Sequence, residues 1–163
     1  MISKYFGGEI PSYDGCKTTF DTELEMFGRN TINSYHDNME NLHVTEAFID
    51  VLNYVARANK YIEESKPWEL AKDESKKEVL ASCMNHLANT LRQAAIMLSP
   101  VLIEAPKKLY AQLGINENKQ TFDSLNKFDI LGGEVVTKGT PLFPRLDASI
   151  EVDFIKNLMK GNK

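Results

Sequence analysis

The sequence predicts an all-α protein, an antiparallel helical bundle followed by an irregular C-terminal tail. Apolar residues recur at helical spacing in three long stretches before residue 100. Short connections separate those stretches, as they do between neighbouring antiparallel helices. The residues that break helices gather late, as Gly132, Gly133, Gly139, Pro141 and Pro144.

The spacing of Thr22 and Glu25 predicts a capping box at the start of the first long helix. Its core stripe reads Leu24, Phe27, Ile32, Tyr35, Met39 and Leu42. A second helix is predicted from Thr45, whose hydroxyl suits an N-cap. Its stripe reads Phe48, Val51, Leu52, Val55 and Ile62, and it ends near Ser65 because Pro67 disfavours α geometry at Lys66. A third helix runs from about Glu74 to Leu98, with Leu80, Cys83, Met84, Leu87, Leu91, Ala94, Ala95 and Leu98 inward, and Pro100 stops or kinks it. A fourth leads through Leu109 to Leu113, with Gly114 just past its end; Pro106 leaves its start open. The bundle thus spans roughly residues 20 to 113 and the bundle domain residues 1–115. Residues 116–163 read as an extended linker or tail, with a short β-like run at Val135 to Thr137. An amphipathic terminal helix over Ser149 to Met159 follows, with Ile150, Phe154, Ile155 and Leu158 on one side. Fast amide exchange from about residue 132 to 147, or a contact of that stretch with a neighbouring molecule, is expected.

Length and composition fit one ordinary globular domain: 163 residues, 42% hydrophobic and 26% charged. The formal charge of −4 argues against general nucleic-acid binding through phosphate neutralisation. It leaves room for stacking and base-edge contacts at one small site. Cys16 and Cys83 are read as two buried free thiols in a reducing compartment. No signal-peptide core and no membrane-length apolar run appears, so a soluble cytoplasmic protein is expected.

Catalytic patterns are absent. The glycine pairs lack the following helix of a phosphate loop. No Cys/His spacing suits zinc, no Glu-x-x-His suits di-iron, and no nucleophile elbow is present. His36 and His43, seven residues apart, read as solvated or cap-side, and His86, alone on its helix, reads the same way. Glu63-Glu64 and Asp73-Glu74 read as helix-end and helix-start acids. The residues by themselves therefore indicate a helical interaction or binding module without catalytic, metal or cofactor sites.

The segment Asn59-Lys60-Tyr61-Ile62-Glu63-Glu64-Ser65-Lys66-Pro67-Trp68-Glu69-Leu70-Ala71-Lys72 is unusual. Asn59 falls on the predicted apolar stripe, where a polar amide needs partners. Trp68, the single tryptophan, directly follows a helix-ending proline, which presents its ring at a bend. The run N-x-Y-I-x-x-x-x-P-W-x-L-x-K resembles the anticodon-recognition corner of the methionyl-tRNA synthetase family. Three more stretches resemble the same family in order. Met1 to Pro11 resembles the end of its first bundle helix and the turn after it. Leu98-Ser99-Pro100 resembles the turn before its last bundle helix. Pro141-Leu142-Phe143-Pro144-Arg145-Leu146-Asp147 resembles its Leu-Phe-Pro-Arg tail.

The resemblance, over residues 1 to about 147, implies the bundle of class I synthetase anticodon-binding domains. It implies recognition of a CAU anticodon, with Trp68 stacking on a base, Pro67 fixing its approach, and Asn59 and Glu63 bracing or contacting nearby. The partners it implies are the tRNA anticodon loop and a catalytic domain that attaches methionine to tRNA using ATP. The family's catalytic signatures are not in this sequence, so this chain alone is expected to catalyse nothing and to need no cofactor. The family's Asn and Arg on the first bundle helix would precede Met1, which implies a truncated first helix and weak binding of tRNA. The domains of leucine, valine or cysteine enzymes of the class are an alternative, against which the Pro-Trp corner and the Leu-Phe-Pro-Arg tail argue. A helical protein-interaction module is another.

Overall fold

The computed structural model describes residues 1–160, and capping chemistry sets where its first long helix begins. A short helix, α1 (Ile2–Tyr5), precedes it. Helix α2 (Thr19–Glu40) is capped by Thr18, whose hydroxyl accepts from the Asp21 amide while the Asp21 carboxylate accepts from the Thr18 amide. The expected box at Thr22 and Glu25 does not form. Thr18 and Asp21 have the same three-residue spacing one turn earlier, and Glu25 turns inward. Helix α3 (Val44–Ser65) follows a tight turn in which Leu42 adopts a left-handed conformation and is exposed. His43 holds the N-cap position of α3 without a side-chain bond, so Thr45 is inside the helix and not its cap.

The buried face of α3 is Ala47, Val51, Tyr54, Ala58 and Tyr61. That is rotated from the stripe predicted above, and Leu52 is 59% exposed. The cause is the tyrosines, whose rings fill the core while their hydroxyls find partners. Tyr54 donates to Gln93 Oε1 at 2.7 Å, and Tyr61 donates to Asp21 Oδ1 at 2.6 Å. In α2, Leu24, Ile32 and Tyr35 are buried as expected, but Leu42 lies beyond the helix and Phe27 is partly exposed.

After α4 (Pro67–Leu70), a 3-10 turn at Glu74–Lys76 leads into α5 (Lys77–Leu98). Helix α5 packs against α2, α3, α4 and then α6 (Glu104–Leu113). Being enclosed on most sides, it buries polar residues with its apolar ones, among them Ser82, Asn85, His86, Asn89, Arg92 and Gln93. Leu91, predicted inward, is 43% exposed. Gly114 ends α6 in the left-handed region, its amide donating to Tyr110 O, as its position predicted. Pro106 sits in the first turn of α6, where a missing N–H is harmless.

The polar residues of α5 organise the irregular segment that follows. Arg92, fully buried, donates to Ser124 Oγ at 2.9 Å and to the carbonyls of Lys127 at 2.8 Å and Lys119 at 3.2 Å. Burial pulls its guanidinium down to about 10, which still leaves it charged at neutral pH. Gln93 donates to Leu125 O, and Asn85 donates to both Pro11 O and Leu131 O. Leu125, Phe128 and Leu131 are core residues. The stretch from Ile115 to Val136 is thus irregular but bonded into the bundle, with no break in packing at residue 115. Val135 forms an isolated antiparallel bridge with Glu9 in place of a strand. Helix α7 (Ala148–Lys160) buries none of its residues. Among the described residues no helix is long and apolar enough to cross a membrane.

Candidate nucleic-acid interface

The corner between α3 and α4 follows from one backbone choice. Pro67 sterically disfavours right-handed helical geometry at the residue before it. Lys66 instead takes φ 45° and ψ 61°, a left-handed cap whose amide still bonds Ile62 O. The chain turns there and Pro67 starts α4, where its fixed φ suits the first helical position. Pro67 is buried, and Leu70 and Ala71 pack on the core. With those three residues inward, Trp68 is left outside the core cluster and is 45% exposed.

Asn59 and Glu63 are both exposed, one turn apart on α3. Asn59, expected on a core-facing stripe, is turned outward by the rotation of α3. Asn59 instead lines an open, largely apolar cleft of about 280 Å³ with Ile2, Val55, Ile62, Met84 and Leu87. Asn59 lies roughly 9 Å along the helix axis from the end of α3 at Ser65. The four residues therefore fall into two groups, Pro67 and Trp68 at the corner and Asn59 and Glu63 along the last turns of α3.

The charges near the corner are mostly matched. Lys60 lies 3.4 Å from Glu64, and Lys66 lies 3.9 Å from Glu69. Arg57 reaches Glu64 at 3.0 Å and Glu23 at 3.1 Å, tying α3 to α2. Lys72 is exposed and forms no ion pair among the described residues. Such a surface offers an aromatic face and amide and carboxylate hydrogen bonds, with little net phosphate attraction.

A second cluster lies around His86. His86 is not solvated but buried, with its Nε2 3.1 Å from Glu25 Oε1 and 3.8 Å from Cys16 Sγ. Tyr13 donates to the same Glu25 oxygen at 2.8 Å. Burial and that bond push the Tyr13 phenol well above its ordinary value, so it stays a donor. Cys16 is exposed, contrary to the expectation of two buried thiols, while Cys83 is buried. The three side chains come from positions 16, 25 and 86, so no local spacing could have announced them.

Residues 13–158 match the family described as the anticodon binding domain of methionyl tRNA ligase. The chain is 45% identical over 165 residues to a methionine–tRNA ligase of Listeria monocytogenes, covering 99% of this chain and 25% of that protein. It is 44% identical to the methionine–tRNA ligase of Bacillus subtilis, covering 99% of this chain and 24% of that one. The chain thus spans about a quarter of the length of the curated relatives it matches. In structure it is similar to the free-state methionyl-tRNA synthetase of Mycobacterium tuberculosis, with a TM-score of 0.81 at 22% identity, over 90% of this chain and 30% of that one.

Proposed function

This chain belongs to the anticodon-binding domain family of methionyl-tRNA ligase, and from that premise we propose that it recognises the CAU anticodon of a tRNA at the Pro67–Trp68 corner. The observation that carries the reading is Trp68, a large aromatic ring 45% exposed while its immediate neighbour Pro67 is buried and fixed. An exposed indole on a rigid bend offers a base a stacking face at little entropic cost. Asn59 and Glu63 supply hydrogen-bonding groups to a second part of the loop. The parent reaction is ATP-dependent attachment of methionine to tRNA. ATP and methionine then belong to a catalytic domain, and the chemistry does not pass through these residues. Leu142, Phe143 and Pro144, of which Phe143 is 69% exposed, form the side turned towards that domain.

Trp68 is the single tryptophan, so its own fluorescence reports the site. Titrating an anticodon stem-loop carrying CAU into the chain is expected to quench that emission, and a stem-loop with an altered anticodon to leave it largely unchanged. Stacking is worth roughly 1–3 kcal/mol per base, so Trp68→Ala is expected to weaken binding about 5- to 150-fold. The melting temperature should barely move, because the ring lies outside the core. Unaltered affinity in Trp68→Ala, or equal binding of both stem-loops, overturns the assignment.

A further inference from the structure

Away from that corner, Cys16 from the segment before α2, Glu25 from α2 and His86 from α5 converge, with one ligand-capable atom of each within 4.8 Å of the others. Glu25 is paired through its Oε2 with Arg29 at 3.6 Å, but the hydrogen bonds around His86 leave Glu25 Oε1 facing a second acceptor. His86 Nδ1 lies 2.7 Å from the Ser82 carbonyl, which can only accept. The Ser82 hydroxyl, 3.2 Å from the same nitrogen, gives its one proton to Asp21 Oδ2 at 2.7 Å. Nδ1 therefore carries a hydrogen. In the neutral ring Nε2 is then a bare lone pair, and it faces the Glu25 oxygen at 3.1 Å. Two acceptors at that separation need a cation between them, a proton or a metal.

The spacing suits a metal. Tetrahedral zinc, with bonds of about 2.3 Å to sulfur and about 2.0 Å to nitrogen and oxygen, sets its sulfur and nitrogen ligands about 3.5 Å apart and its nitrogen and oxygen ligands about 3.3 Å apart. The corresponding edges here are 3.8 Å and 3.1 Å. Outer partners of the kind that orient metal ligands are already in place. The Ser82 carbonyl fixes the tautomer and plane of His86, and Tyr13 holds Glu25.

We propose that Cys16, Glu25 and His86 bind a divalent, borderline-soft cation, with Zn²⁺ the best match and the fourth position left to water. Thiolate, carboxylate and neutral imidazole together balance its charge. Binding displaces the Cys16 thiol proton to solvent, and the Nε2 proton as well wherever the ring holds one. The ion ties the segment before α2 to two bundle helices and so fixes the loop that carries the Thr18 cap. The site is independent of the anticodon reading, and its test does not involve RNA.

The test uses the 163-residue chain stripped of metal and kept reduced with a phosphine. Cobalt(II) alone is expected to give a thiolate-to-cobalt charge-transfer band in the near ultraviolet, with visible bands of tetrahedral intensity, at one ion per chain. Zn²⁺ should displace it. A hundredfold excess of Zn²⁺ over Kd should raise Tm by roughly 5–10 °C. Cys16 is exposed, so Cys16→Ser and Cys16→Ala are expected to fold. Each should lose the charge-transfer band and most of the zinc-induced rise in Tm, a loss exceeding the roughly 10–100-fold that removing an outer partner causes. No band in the unaltered chain, or a band that survives in both variants, overturns the proposal and leaves a proton-bridged His86–Glu25 pair in its place.

Discussion

Asp21 concentrates more hydrogen bonds than any surface carboxylate among the described residues. Its Oδ1 accepts from Tyr61 at 2.6 Å and from Thr18 Oγ1 at 2.9 Å, and its Oδ2 accepts from Ser82 at 2.7 Å and from the Lys17 amide at 2.8 Å. Burial opposes its ionisation, but the bonds from Tyr61, Ser82, Lys17 and Thr18 outweigh it and hold the carboxyl below its ordinary value. A carboxyl whose pKa is lower folded than unfolded contributes stability that is fully present above the unfolded value of about 3.9 and is lost as pH falls through the folded one. Asp21→Ala should cost roughly 2–6 kcal/mol at neutral pH, since two buried hydroxyls, each worth about 1–3 kcal/mol, lose their acceptor. It should also flatten the acid limb, which urea unfolding at pH 7 and at pH 3 would measure. An equal loss between those pH values in both proteins would count against the account. Little of this was readable in sequence. Pro67 and Trp68 were, because a proline stops a helix by local sterics. Asp21 meets Tyr61 and Ser82 across 40 and 61 residues, and His86 meets Glu25 across 61, which no spacing rule spans.

The elements themselves were legible where periodicity alone decides them, and their faces were not. The long helices lie close to where apolar spacing placed them. Helix α3, however, turns its tyrosines inward and leaves Leu52 outside, because a buried hydroxyl with a partner outweighs a simple count of apolar positions. Helix α5 is central, so it buries residues on nearly every side and no stripe describes it. Where α2 crosses α3 the approach is close enough that Gly28 is required. A Cβ on Gly28 would lie 2.5 Å from Tyr54 Oη, 2.8 Å from Cζ and 3.2 Å from Phe128 Cε1. Tyr54 has no room to retreat, as Gln93 and Thr90 bond its hydroxyl. Alanine gains about 1 kcal/mol over glycine in helix propensity, whereas overpacking a dense core costs about 1–3 kcal/mol. Gly28→Ala is therefore expected to lower stability, and to lower it by less in a Tyr54→Phe background, where the nearest atom is gone. A rise in Tm on Gly28→Ala would contradict this packing, and a double-mutant cycle reads the coupling directly.

Hydrogen bonds to the irregular segment decide where the cooperative unit ends. Composition put that boundary near residue 115, since glycine, proline and polar residues increase beyond it. The polar residues of α5 move it outward, because Asn85, Arg92 and Gln93 spend their hydrogen bonds on the carbonyls of the irregular segment. Ladder-like bonds then continue as far as Thr137. Gly133 N donates to Ile10 O, Val136 N to Gly8 O, and Thr137 N to Gln112 O. Glu134 adds an ion pair with Lys119. Beyond that point the side chain of Gln112 holds Thr140 O, Leu142 and Phe143 lie along a small apolar cleft beside Leu98 and Leu109, and α7 buries nothing. Local opening free energy follows buried contacts and protected backbone bonds, so the amides should divide at Thr137 and not at residue 132. Hydrogen exchange at neutral pH is expected to leave Ile10, Gly133, Val136 and Thr137 protected to within about tenfold of one another, and to exchange residues 145–160 near the unprotected rate. Arg92→Met should then be a whole-segment mutation. It leaves the carbonyls of Lys119, Ser124 and Lys127 without their shared donor, so protection at Leu125, Gly133 and Val136 should fall together while the amides of α2 and α3 keep theirs. Uniform loss across every helix would mean that the segment and bundle unfold as one step. No loss at all would mean that Leu125, Phe128 and Leu131 hold the segment through apolar contact alone.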